Sequence, residues 1–329
     1  MATMIERNDA QSLIPEEVSR EIIQAVAQRS AALSLMRRLP NMSRKQRRMP
    51  VASALAVAGF VDGDAGLKPV SKAAWKDKFI DAEEIAVIIP IPEAVLDDAD
   101  YDIFGEIKPQ IVEAFGIVFD GAVFFGVDAP ALWPTALVPG AIAAGHTVAL
   151  GTGRDIAADV NDGMALVEAD GLDVTGFSAA IPVKSKLRGL RDDNGVPIFQ
   201  PALTADAPAT LHGQPIYYPK NGAWDASQAL MLGGDFLQAV YALRQDMTYK
   251  VLDQAVITDN AGNIIYNLAQ QDMKALRCVM RLGWQLPNPI NRMSPNEATR
   301  YPFFVLQPAG PAKPEEPEEP EEPEEPEEP

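Results

Sequence analysis

Few side chains in this 329-residue chain are placed to do chemistry. The two histidines, His146 and His212, lie far apart in the sequence, each beside a glycine in a turn-like stretch. Acyl-transfer chemistry needs a nucleophile held against a base, and no Gly-x-Ser-x-Gly elbow occurs to present a serine. Cys278 is the single cysteine, so no internal disulfide framework can form. It sits in the alternating run Leu276-Arg277-Cys278-Val279-Met280, which reads as a small buried hydrophobe. One Cys and two separated His lack the clustered spacing of a metal site. Gly151-Thr152-Gly153-Arg154 precedes a helical stretch and hints at phosphate binding. Without the full Gly-x-Gly-x-x-Gly or Walker pattern it reads instead as a helix N-cap. No catalytic, cofactor-binding or metal-ligating set is expected.

The chemistry that remains is charge. The formal net charge is −18, but Pro314–Pro329 is a Pro-Glu-Glu repeat holding ten of the glutamates and no base. Without it the charge is −8, so the body is mildly acidic and lacks a strongly basic nucleic-acid footprint. The tail has no apolar residue besides proline and repels itself, so it is expected to be extended, polyproline-like and disordered, a solubilising spacer. Against this acidity stand six basic residues in twelve positions: Arg37, Arg38, Arg44, Lys45, Arg47 and Arg48. Such a run can be a solvated face, can line packaged nucleic acid, or can pair with acids such as Asp97, Asp98, Asp100, Asp102 and Glu106.

The elements that must carry these charges read as mixed α+β, with length for about two domains. Pro15 with Glu16 and Glu17 opens a short helix whose Val18, Ile22 and Val26 line one side. Residues 44–91 read as two long strands around a Gly/Asp-rich tip near 62–68, the second ending in a buried segment, Ile85–Pro92, stopped by proline. Roughly forty residues of exposed β-like arm exceed what a compact domain carries, which points to a chain lying across a copy of itself. A helix follows over Tyr101–Gly126. Ile103, Ile107, Ile111, Phe115 and Phe119 repeat every fourth residue, with Val118 and Ala122 beside them. Pro109 should kink it or mark its true start, and Gly116, Gly121 and Gly126 suggest close packing. Further helices are expected at 153–169 and 182–190, and a turn at 192–195. Strands are expected at 176–181, 214–218, 229–233 and 238–241, and a long one at 273–286. No secretory h-region and no run of ~18 uncharged apolar residues occurs, so folding in a cytosol and no membrane span are expected.

The order of these pieces resembles the major capsid proteins of tailed bacteriophages with the Hong Kong 97 fold. The resemblance covers roughly residues 14–306. It rests on Ile14-Pro15-Glu16-Glu17-Val18, the arm ending Ile88-Ile89-Pro90-Ile91-Pro92, and the helix ending Phe119-Asp120-Gly121-Ala122-Val123-Phe124-Phe125-Gly126. Asp193–Pro201, Leu211-His212-Gly213-Gln214-Pro215-Ile216, Gly234-Asp235-Phe236 and Arg281-Leu282-Gly283-Trp284 complete the series in the family's order.

The resemblance implies an N-terminal arm (1–43), an extended loop (44–91) and a peripheral domain with a spine helix (92–129 and 271–308). An axial domain (130–270) and a disordered tail (309–329) complete the division. It implies a structural protein rather than an enzyme, forming hexamers and pentamers of an icosahedral virion shell around double-stranded DNA, assembled in the host cytoplasm. Few residues precede the first helix, so a separate scaffold, or none, is expected rather than a fused one, with portal and decoration proteins as further partners. Arg44, Lys45, Arg47, Arg48, Lys68, Asp97, Asp98, Asp102 and Glu106 are the candidate inter-subunit contacts. One relative welds its subunits through Lys–Asn bonds; Lys68 or Lys72, Asn288 or Asn291, and Glu297 would be the candidates here, in no recognisable motif. The alternative is a bacterial nanocompartment shell of the encapsulin type, which shares the fold.

Overall fold

The computed structural model describes residues 30–61, 67–68, 70–98, 102–190, 209–259 and 261–309. The expected helix after Pro15, the hairpin tip at 62–66, the segment around 192–201 and the Pro-Glu-Glu tail lie outside the described residues.

In chain order the elements begin with α1 (Ala31–Leu35), β1 (Arg37–Arg38), β2 (Gln46–Ala54), β3 (Ala74–Asp81), β4 (Glu83–Pro92), α2 (Glu93–Asp98) and α3 (Ile103–Phe124). Then come α4 (Leu137–Ala143), β5 (Thr147–Ala149), α5 (Ile156–Ala169), β6 (Gly176–Ala179), α6 (Ile181–Gly189), β7 (Thr210–Leu211) and β8 (Gln214–Tyr217). The chain closes with β9 (Met231–Gly234), β10 (Val240–Leu252), β11 (Val256–Thr258), β12 (Ile264–Asn267), β13 (Met273–Gln285) and β14 (Phe303–Gln307).

The long helix α3 lies on a four-stranded sheet ordered β1-β10-β13-β4. Its Ile111, Phe115, Phe119 and Val123 share one core with Leu276, Cys278, Met280, Leu282 and Trp284, alternate residues of β13. A 3.6-residue stripe thus meets a two-residue stripe, the usual way a helix covers a sheet. Val118, placed beside the stripe by the sequence pattern, is 50% exposed instead. Pro109 sits inside α3, which starts at Ile103 and not at the proline. Residues 108–110 are exposed, so the ring faces solvent rather than a packed neighbour. Gly126, at φ 77°, closes the helix, with its own amide donating to the Ala122 carbonyl.

The extended arm differs from its sequence reading. Only β2 and β3 form the hairpin, pairing from Gln46↔Asp81 to Ala54↔Ala74. The chain turns at Ala82, and β4 pairs with β13 instead, from Met273↔Pro92 to Leu282↔Glu83. The segment Ile85–Pro92 is accordingly not buried on both sides. It is an edge strand whose Ile85, Val87 and Ile89 face the core while Ile88 is 44% exposed. An edge is where Pro90 and Pro92 can sit without removing ladder bonds.

A second sheet runs β5-β14-β9-β6-β8-β7. Its α5 and α6 face holds Val160, Val167, Val183, Leu187, Phe177, Met231 and Phe304. Phe303 and Val305 point the other way, into the core shared with α3 and α4. That is why Phe303–Leu306 is an unbroken apolar run: both faces of β14 are covered. β10 pairs with β13, and β14 pairs with β9 and β5. β7 and β8 are joined by His212 and Gly213, both at positive φ (49° and 81°), as a two-residue hairpin turn requires.

Candidate inter-subunit surfaces

Three constructions position the outward-facing residues. The first is the root of the hairpin. The 286–300 segment runs beneath β2 and β3 and bonds to both. The Ile290 amide donates to the Ala52 carbonyl (3.2 Å) and the Arg292 guanidinium to the Ala56 carbonyl (2.5 Å). Gln285 donates to the Phe79 carbonyl (2.7 Å) and Lys78 to that of Leu286 (3.1 Å). Lys76 and Lys78, on one face of β3, both pair with Glu297, the latter at 3.3 Å. Burial, then the nearby Lys76 and Arg300 charges, hold the Lys78 ammonium down to about 8. Beneath this, buried Arg300 donates to the side chain (3.0 Å) and carbonyl (2.9 Å) of Asn288 and to the Ser294 carbonyl (2.6 Å). Further out the hairpin makes little use of its own chain. Phe60, Leu67 and Val70 are essentially fully exposed, and Trp75 is 69% exposed.

The second is the point where the N-terminal arm enters. Asp120, fully buried on α3, accepts from Ser30 Oγ (2.5 Å), the Ala31 and Ala32 amides (3.0 and 3.1 Å) and Asn221 Nδ2 (3.1 Å). It thereby caps α1 from another element. Ser30 approaches closely enough that a Cβ on Gly116 would lie 3.5 Å from its amide nitrogen. Burial pushes the Asp120 carboxyl up, against the pull of its hydrogen bonds. The sequence did carry a signal for this residue: it is the one charge in Phe119–Phe125, an otherwise apolar helix end.

The third is the distribution of charge. Arg44, Lys45 and Arg48 are exposed at the base of the hairpin, and Arg47 is half-buried. Lys45 pairs with Glu83 and Arg48 with Asp77, each at 3.3 Å, and Arg47 donates to the Pro40 carbonyl. Within the copy, therefore, local carboxylates take Lys45 and Arg48. Asp97 and Asp98 at the end of α2, and Asp102 ahead of α3, are exposed, while Glu106 is half-buried in the first turn of α3. Lys68 and Lys72 are exposed on the arm. The asparagines considered for covalent linkage are engaged: Asn288 Nδ2 donates to the Arg300 carbonyl and Asn291 Nδ2 to that of Asp170.

Cys278 is buried in the sheet, where burial raises its thiol. His146 lies beside Asp170 (3.4 Å) and the Phe303 carbonyl (3.2 Å), while His212 sits in its exposed turn. In the Gly151–Gly153 loop the anion position is filled by the chain itself. Asp159 accepts from the Gly151 and Gly153 amides (2.8 and 2.6 Å) and from Thr152 Oγ1 (3.1 Å); burial pushes its carboxyl up, but these bonds together outweigh it and hold the carboxyl low. The helix cap is Asp155, one residue beyond the expected motif. Among the described residues no His/Cys/Asp/Glu group could hold a metal, and no helix is long and apolar enough to cross a membrane.

A groove of about 540 Å³ runs along the end of α3, lined by Ile117, Val118, Gly121, Val127 and Trp224 among others.

Comparison with known proteins bears on what such surfaces are for. Residues 10–290 match the model of the phage capsid family. The major capsid protein of Staphylococcus phage 80alpha is 28% identical over 223 residues, which is 65% of this chain and 63% of that protein. Among solved structures, a chain from Microbacterium phage Oxtober96 is similar with a TM-score of 0.81 and 40% identity, covering 93% of this chain and all of that one. A chain from Mycobacterium phage Cain gives 0.81 and 33%, covering 94% and 100%.

Proposed function

Because the chain belongs to the phage capsid family, we propose that, as a major capsid protein, its copies close into hexamers and pentamers of an icosahedral head around double-stranded DNA. Its mixed α+β architecture is of the Hong Kong 97 type. The sheet with α3 serves as the peripheral part and the six-stranded sheet with α4–α6 as the axial part. The single observation carrying this reading is the hairpin: firmly bonded at its root, yet with Phe60, Leu67 and Val70 exposed to water. Apolar surface of that kind is costly unless another molecule covers it. The neighbouring copy's groove along α3, with Val118 and Val127 exposed at 50% and 56%, offers apolar surface to receive it. Around that contact the bases Arg44, Lys45, Arg47, Arg48 and Lys68 of one copy face the rim Asp97, Asp98, Asp102 and Glu106 of the next. Mixed charges at a rim set register and encounter rate more than affinity.

The role is structural rather than enzymatic, and the protein belongs in the virion. Assembly in the host cytoplasm, with separate scaffold, portal and decoration proteins, completes the proposal. The nanocompartment alternative is not favoured, since the relatives named above come from phages. Electron microscopy of purified assemblies, with their nucleic-acid content measured, tests the reading. Closed shells that hold DNA when isolated from phage are expected. Small DNA-free shells enclosing a protein cargo would overturn it.

A further inference from the structure

The basic strip is larger than its partners within the copy account for. Among the described residues β1 is an edge strand of its sheet, bonded only to β10, and its Arg37 and Arg38 are exposed. Among the described residues Arg37 and Arg44 meet no carboxylate, and Arg38 donates only to Asn41. Between Pro40 and Arg47 the chain encloses an open cleft of about 230 Å³, with Arg44, Gln46 and Arg47 in its wall. Arg44 and Arg47 line this cleft, Arg38 is tied to Asn41 in its wall, and together they offer positive charge to an extended anion.

The densest anion available is the chain's own end. Residues 314–329 repeat Pro-Glu-Glu and hold ten glutamates. A polyproline helix has three residues per turn, so a period-three repeat stacks the prolines along one ridge and the glutamates along the other two. In that helix equivalent carboxylates recur every ~9 Å. Twenty residues follow Ala309, the last one described before the tail. At ~3.1 Å each they span roughly 60 Å, against a radius of gyration near ~19 Å for a body of this size.

We propose that in the unassembled subunit the Pro-Glu-Glu tail lies on the arginine strip at 37–48, covering the surface that a neighbour's acidic rim takes in the shell. This rests on the shell reading in one respect, that the strip is an inter-copy surface. The tail then acts as an internal competitor: it keeps free subunits from pairing through the strip and gives way when several rims engage together.

A fluorescein-labelled peptide of residues 312–329, titrated into protein ending at Ala309, tests the contact. That truncation keeps every buried core residue through Leu306. The expected result is a saturable rise in anisotropy at 50 mM salt, weakened at least tenfold by 300 mM salt, since exposed charges are screened. Arg38→Glu/Arg44→Glu should weaken binding at least tenfold with an unchanged melting midpoint, both side chains being exposed. The full-length chain should bind the free peptide at least tenfold more weakly than the truncated one. Absence of saturable binding, or binding indifferent to the double substitution, would overturn the proposal. So would a DNA duplex that occupies the strip and is not displaced by excess peptide. Asp98→Lys/Asp102→Lys separates the two readings: it should impair shell closure while leaving peptide binding intact. Unimpaired closure would count against the rim and not against the tail contact.

Discussion

Replacing Asp120 by alanine removes one acceptor that serves four donors: Ser30 Oγ, the Ala31 and Ala32 amides, and Asn221 Nδ2. Each buried donor left without a partner costs about 1–3 kcal/mol. The four costs do not add in full. The Ser30 hydroxyl can turn to another acceptor, water can enter the vacated space, and the desolvation penalty of a buried carboxylate disappears with it. A net loss of about 3–5 kcal/mol is expected, in the range for breaking a buried charged network. At about 2–4 °C per kcal/mol the unfolding midpoint of the unassembled subunit should fall by roughly 10 °C. The damage should also be local. Trypsin should cut at Arg37 and Arg38 faster than in the wild type, because α1 loses its cap from α3 while the sheets do not. Asp120→Asn, which keeps one acceptor oxygen, should recover about half of the loss. A midpoint within 2 °C of wild type, with unchanged cleavage at Arg37 and Arg38, would show that the carboxylate does not anchor the arm.

Lys78 is held down to about 8, so above that pH the folded chain holds fewer protons than the unfolded one, until the unfolded lysine also titrates near 10.5. Stability measured by urea unfolding should therefore rise with pH across that window, and Lys78→Met should lose the slope. At pH 8 an amine-reactive ester should label Lys78 more per unit of exposed side chain than it labels the exposed Lys68; labelling no greater than its 23% exposure predicts would contradict this. Gly163→Ala should cost about 1–3 kcal/mol in urea unfolding, because its Cβ would overlap the Phe304 ring, which Gly233 hems in from the other side. Deleting residues 54–72 should leave a soluble subunit that does not close stable shells, while normal particles by electron microscopy would refute the strap role of the hairpin.

Much of the molecule was legible because its periodicities are long and clean. The stripe from Ile111 to Phe119 announced α3, and the alternation from Met273 onward announced β13. The single strand read from Trp75 to Ile91 was in fact two, because alternation persists through Ala82 while the partner changes from β2 to β13. A pattern of period two reports which face is buried but not which strand lies alongside. The basic run and the acidic rim were visible as composition. That Lys45 pairs with Glu83 and Arg48 with Asp77 inside the copy was not, because a surface ion pair is chosen by strand register.

By itself, then, the sequence determined what the chain has to bury and what it has to leave to water. It set a helix with one apolar side, alternating strands of a mixed α+β fold, an arm too apolar for its exposure and a tail with no apolar residue besides proline. Those properties are local, because burial preference belongs to each residue and its near neighbours. Only the tertiary structure decided that β14 divides two cores, that Asp120 reaches 90 residues back to Ser30, and that Glu297 grips the hairpin 221 residues before it. Such contacts depend on where distant segments meet, which is settled by the packing of whole elements and leaves no trace in the spacing of any one of them.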